Sequence, residues 1–147
     1  MKILVIGSGG REHAICHSFR RSERVEKIYC APGNAGIAEI AECVNIKPDR
    51  IGELADLAEK LSVDLTFVGG ETSLALGIVD EFAARGLKIV GPTAAAARLE
   101  SSKSFAKAFM NRRGVLTARH FTASSAGEAV EILDRGEFGD ENAPVVV

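Results

Sequence analysis

A chain of 147 residues is long enough for one domain, or for one domain and part of a second. Its composition, 46% hydrophobic and 26% charged, is that of a folded globular protein and not of a disordered one. A formal net charge of -2 provides no broad basic field, which argues against a nucleic acid held by its phosphates.

The N-terminus passes from Met1-Lys2 straight into the aliphatic run 3–6. That run is too short for a signal segment, and no later stretch approaches a membrane span, so neither export nor membrane anchoring is expected. A continuous aliphatic run suits a strand buried on both faces of a parallel sheet, and Gly7 closes it. Residues 11–19 then place Ala14, Ile15, Ser18 and Phe19 at helical spacing. Residues 27–31 read as a second strand, ended by Pro32-Gly33-Asn34, and 44–46 as a short third. In 51–61, Ile51, Leu54, Ala55, Ala58 and Leu61 share a helix face, and 65–68 is again a buried-type strand. Residues 74–85 read as one helix stopped by Gly86, and 88–90 as a strand closed by Gly91-Pro92. This alternation predicts a Rossmann-like α/β fold, a mostly parallel sheet with helices on both faces, whose ligands bind beyond the carboxyl ends of the strands.

After Thr93 the pattern changes, because 94–99 and 101–113 are both helical with no strand between them. Phe105, Ala106, Phe109 and Met110 form an apolar stripe on the second of these. A domain boundary is placed near Ser101, giving domains 1–100 and 101–147. Beyond Gly114, 120–123 is a candidate strand, a helix carrying Ala126, Ala129, Val130 and Leu133 follows Ser124 or Ser125 as N-cap, and 144–147 begins a further strand. Cys16, Cys30 and Cys43 are odd in number and lack C-x-x-C spacing, which opposes a disulfide framework and a zinc site and fits a reducing cytoplasm.

Gly7-Ser8-Gly9-Gly10 lies between a buried strand and a helix, where glycines admit a ligand to the backbone and helix amides can hold an anion. The dinucleotide pattern G-x-G-x-x-G fails at Glu12, and the acid expected to bind ribose at the end of the second strand is replaced by Cys30-Ala31-Pro32-Gly33. A nicotinamide-linked oxidoreductase is therefore opposed, and no P-loop is present. Arg11, beside the turn, suits either a phosphate or an exposed helix surface. Glu12 and His13 point different ways on a helix, and a first-turn Glu is favoured by the helix dipole. His13 and His17 stand four residues apart but lack a third metal ligand. Glu71, after Gly69-Gly70, suits a ribose hydroxyl or an amine, or a helix N-terminus.

GSGGREHA at 7–14, APGNAG at 31–36, GIVD at 77–80 and LESSKSFAK at 99–107 resemble, in that order, the signatures of glycinamide ribonucleotide synthetase. The resemblance implies a pre-ATP-grasp sheet followed by the start of an ATP-grasp domain. It implies a cytoplasmic, monomeric ligase of purine biosynthesis that uses ATP and Mg²⁺ to join glycine to 5-phosphoribosylamine through a glycyl phosphate. Carried over, it puts Gly9, Gly10 and Arg11 at the ribosylamine phosphate, with Asn34, Gly69, Gly70 and Glu71 completing the pocket. Lys103 matches the linker lysine that reaches a nucleotide phosphate, and Gly70 stands where the family more often has proline. The family's ATP-binding lysine and flexible glycine-rich loop would follow the strand at 144–147. The chain by itself is thus expected neither to catalyse the reaction nor to bind ATP tightly, and no catalytic residue or metal ligand is assigned in it. The alternative is an autonomous, non-catalytic module that binds a phosphorylated metabolite or a partner subunit.

Overall fold

The computed structural model describes residues 1–136 and 138. Met1–Ser101 forms one compact unit, and a second begins at Ser102.

The first unit is built on a five-stranded sheet of order β3-β2-β1-β4-β5. Its strands are β1 (Lys2–Gly7), β2 (Lys27–Pro32), β3 (Glu42–Cys43), β4 (Leu65–Val68) and β5 (Ile89–Val90), and every pairing is parallel. The aliphatic run makes β1 central because its side chains alternate between two cores. Leu4 and Ile6 pack with Leu54, Ala55, Ala58, Ile78 and Phe82, whereas Ile3 and Val5 pack with Cys16, Ile28, Cys30 and Ile37. The first group belongs to α3 (Ile51–Leu61) and α5 (Ile78–Ala84), and the second draws on α1 (Gly10–Arg20) and α2 (Ala35–Ala38). Helices therefore cover both faces, and the sheet is Rossmann-like α/β. From β1 the chain first moves out through β2 to β3, then returns to the other side of β1 for β4 and β5. The strand order reverses at β1 and β4, where sheets of this kind open a crevice.

Three elements differ from the sequence reading. The expected helix 74–85 is two helices, α4 (Glu71–Ala75) and α5, because Gly77 adopts φ 86 and caps the second. The third strand lies at Glu42–Cys43 and not at 44–46. The Val44 amide still donates to the Cys30 carbonyl at 2.9 Å, but the Ile46 amide turns back to the Val44 carbonyl at 2.7 Å and ends the ladder. The candidate strand 120–123 has no strand structure, and the one at 144–147 lies outside the described residues.

At the end of the first unit stands α6 (Ala94–Ser101). The second unit contains α7 (Lys103–Arg113) and α8 (Ala126–Asp134). Ser102 caps α7 by accepting from the Phe105 amide at 3.4 Å, and Gly114 closes it at φ 65. Ser125 caps α8 at the Glu128 amide, while the Glu128 carboxylate accepts from the Ser124 amide at 2.8 Å. The Ser124 hydroxyl, and after it that backbone bond, lower the Glu128 pKa from its ordinary value.

On β4, Thr66 is 1% exposed and its hydroxyl has no hydrogen-bond partner among the described residues. A buried hydroxyl without a partner costs about 1–3 kcal/mol. Thr66→Val keeps the β-branched shape and removes that cost, and should raise the unfolding free energy by about 1 kcal/mol in urea titration.

Candidate functional site

The crevice is made by two loops, one leaving β1 at Gly7 and one leaving β4 at Gly69. Between them lies Glu12, in the first turn of α1 and only 6% exposed. Its Oε2 accepts from the Gly9 amide at 2.6 Å, so the carboxylate reaches back to the N-cap residue of its own helix. Its stem fills space that side chains at three glycines would need. A β-carbon at Gly7 would lie 2.6 Å from Glu12 Cγ, one at Gly9 2.9 Å from Oε2, and one at Gly69 would collide with Oε1. Gly7 also adopts φ 136, which few other residues tolerate.

A second bond joins the loops above the carboxylate. Arg11 Nη1 donates to the Gly69 carbonyl at 2.5 Å, while the Gly69 amide donates to Ile6 at 3.0 Å. On the other flank Asn34 is the N-cap of α2, with Oδ1 accepting from the Ile37 amide at 2.9 Å. Its Nδ2 donates to the Ser8 carbonyl at 2.7 Å, which fixes the glycine turn to the loop after β2.

The structure thus gathers Gly9, Gly10, Arg11, Asn34, Gly69 and Gly70 around the ends of β1 and β4. Gly10 opens α1 beside unobstructed space, where first-turn amides have no partner within the helix. Gly70 is the N-cap of α4, and Glu71, its first residue, is exposed. Lys103 is the exposed first residue of α7 and belongs to the second unit. Among the described residues, no group of three or more His, Cys, Asp or Glu is placed to hold a metal ion, and no helix is long and apolar enough to cross a membrane.

Beneath the loops is a cavity of about 190 Å³, lined by Ser8, Gly9, Glu12, Pro48, Gly70, Thr72 and Ser73 among others. Ser73 is 1% exposed, and its hydroxyl donates to the Pro48 carbonyl at 2.6 Å, holding the loop after β3 against α4. No lysine or arginine lines this cavity. A wider, open depression of about 680 Å³ lies by Ile51, Leu76 and Asp80, but there the Asp80 carboxylate is engaged by the Ala94 amide at 2.8 Å. Position at the point of strand reversal, and not size, selects the smaller cavity as the candidate site. Pro48, Thr72 and Ser73 belong to no motif, so sequence reading passed over them. The role of Glu12 could have been sought in the glycines around it.

The family model for the phosphoribosylglycinamide synthetase N domain matches residues 1–100. The phosphoribosylamine–glycine ligase of Caldanaerobacter subterraneus subsp. tengcongensis is 52% identical over 133 residues, covering 90% of this chain and 32% of its own. The phosphoribosylamine–glycine ligase of Ralstonia nicotianae is 50% identical over 147 residues, covering 100% of this chain and 34% of its own. The crystal structure of phosphoribosylamine–glycine ligase from Thermotoga maritima aligns with a TM-score of 0.65 at 28% identity, over 92% of this chain and 30% of that one. The chain spans about one third of the length of the curated relatives it matches.

The packing of Glu12 separates two glycines of the site. Gly69→Ala drives a methyl group into the carboxylate and should cost about 1–3 kcal/mol of stability. Gly10→Ala meets nothing within 4 Å at the start of α1 and should be neutral or stabilising by up to about 1 kcal/mol. Thermal unfolding of the two variants side by side checks the difference.

Proposed function

The chain belongs to the phosphoribosylglycinamide synthetase N-domain family, and from that premise we propose that it is the acceptor-side, N-terminal part of an ATP-dependent ligase. The reaction of the whole ligase joins glycine to 5-phosphoribosylamine in purine biosynthesis. ATP phosphorylates the glycine carboxylate, and the ribosylamine nitrogen displaces phosphate from the resulting acyl phosphate. The observation that carries this reading is identity of 52% over 133 residues and 50% over 147 residues to ligases of that name.

This chain's share of the chemistry is to hold the acceptor. The Gly9 amide is committed to Glu12, so the ligand phosphate is met at the rim by the first-turn amides from Gly10 and by the Arg11 guanidinium. The ribose and amine, which donate hydrogen bonds, face the carboxylates of Glu12 and Glu71. Asn34, Gly69 and Gly70 shape the walls, with Asn34 acting through the turn it fastens. In this reading the metal and most contacts to ATP are assigned to other parts of the ligase. Lys103 would extend from α7 toward a nucleotide phosphate.

The second unit favours this reading over an autonomous module. Leu116 is 98% exposed, and Val115, Phe121, Val130 and Leu133 are exposed as well. Phe105 and Phe109 are half-buried. Apolar side chains open to solvent on this scale suit a region that further polypeptide covers.

Ribose 5-phosphate, a stable stand-in for the ribosylamine, tests the site by isothermal titration. Arg11→Ala should weaken its binding about tenfold or more, the effect of losing one charge-assisted contact, and unchanged affinity would discard the phosphate role. ATP should show no micromolar binding to this chain. Such binding would overturn the division of sites proposed above.

A further inference from the structure

All three cysteines of the chain gather on one side of the sheet, beside the glycine turn. Cys30 and Cys43 are direct partners across the β2–β3 ladder, so their side chains leave the same face of the sheet. Neighbouring strands run about 4.8 Å apart, within the roughly 4.4–6.8 Å Cα separation that a disulfide spans. Gly33, at φ 74, lies over both residues: a β-carbon there would collide with Cys43 Sγ and come within 3.6 Å of Cys30 Cβ. The missing side chain leaves the Cys43 sulfur room on the Cys30 side. Cys43 is exposed, whereas Cys16 and Cys30 are wholly buried.

We propose that Cys43 and Cys30 form a peroxide-responsive thiol pair at the foot of the glycine turn, which closes reversibly to a disulfide. The exposed Cys43 thiolate attacks one oxygen of hydrogen peroxide, the O–O bond breaks, hydroxide leaves, and Cys43 becomes a sulfenic acid. The Cys30 sulfur then attacks the Cys43 sulfur, the S–O bond breaks, and the departing hydroxide takes up the Cys30 proton as water. In sum, two thiols lose two electrons and two protons, and peroxide is reduced to two molecules of water. Burial denies oxidant to Cys16 and Cys30. A hydrogen bond to Cys16, together with burial, raises the Cys30 pKa, so Cys30 does not meet peroxide as a thiolate, and in the second step it attacks as its proton passes to the departing hydroxide.

The pair is wired to the turn. Cys30 Sγ donates to the Gly7 carbonyl at 3.4 Å, and Cys43 Sγ donates to the Asn34 carbonyl at 3.8 Å. A disulfide sulfur carries no proton, so closure removes both bonds. Asn34 in turn holds Ser8. Oxidation therefore loosens the turn at Gly7 and at Asn34 together, whatever ligand the crevice takes.

Peroxide treatment of the chain, followed by alkylation, proteolysis and mass spectrometry, tests the pairing. We expect a linked Cys30–Cys43 peptide that dithiothreitol releases and that Cys43→Ser does not form. Amide hydrogen exchange over residues 7–13 should quicken severalfold in the oxidised chain and stay unchanged in peroxide-treated Cys43→Ser. A Cys16–Cys30 link, Cys43 carried to sulfinic acid with Cys30 still open to alkylation, or unaltered exchange in the linked chain would each overturn the proposal.

Discussion

A single buried carboxylate organises the crevice. Glu12 bonds the Gly9 amide, fills the space beside Gly7 and Gly69, and so fixes how closely the loop after β1 can approach the loop after β4. Close approach is what makes a crevice at the point of strand reversal into a cavity of ligand size. The same contact explains why the glycines cluster there, since a β-carbon at any of the three would displace the carboxylate or the backbone. Arg11 adds a bond across the same gap, and Asn34 fastens the glycine turn on its other flank, to the loop after β2.

How far the sequence revealed this fold depends on how local each determinant is. The run at 3–6 was legible because burial on both faces leaves no polar alternation, and the helix at 51–61 because its apolar stripe is complete within one segment. The break between α4 and α5 was missed because the apolar spacing continues through Gly77, whose left-handed φ is a property of backbone and not of periodicity. The β3 ladder is short enough that two hydrogen bonds decide its register, and Val44 and Ile46 pack on the core from just outside it.

At the site, motif spacing located the loops but not their bonding. Glu12 read as a helix-dipole residue, which it is by position, yet its reach to Gly69 involves a loop 57 residues further along the chain. Asn34 read as a ligand contact, and the spacing gave no sign that its amide also bonds the backbone of α2 and of the glycine turn. The substrate proposed for the site rests on family membership, while the hydrogen bonds among these side chains are read from the geometry.

A carboxylate at the centre of a site proposed for a phosphorylated ligand needs a physical reason. Two like charges about 5 Å apart in a partly buried setting repel by about 3 kcal/mol, enough to decide which way round a small molecule lies. On the proposed reading, Glu12 beneath the loops and Arg11 at their rim would drive the phosphate outward and the hydrogen-bond-donating end inward. In the proposed reaction the inward end carries the amine, which must meet the acyl phosphate while the phosphate stays anchored. A neutral residue at position 12 could hold the loops, but it would leave both orientations close in energy, and only one presents the nucleophile. In that proposal the carboxylate unites two demands in one side chain, the packing of the crevice and the polarity of what enters it.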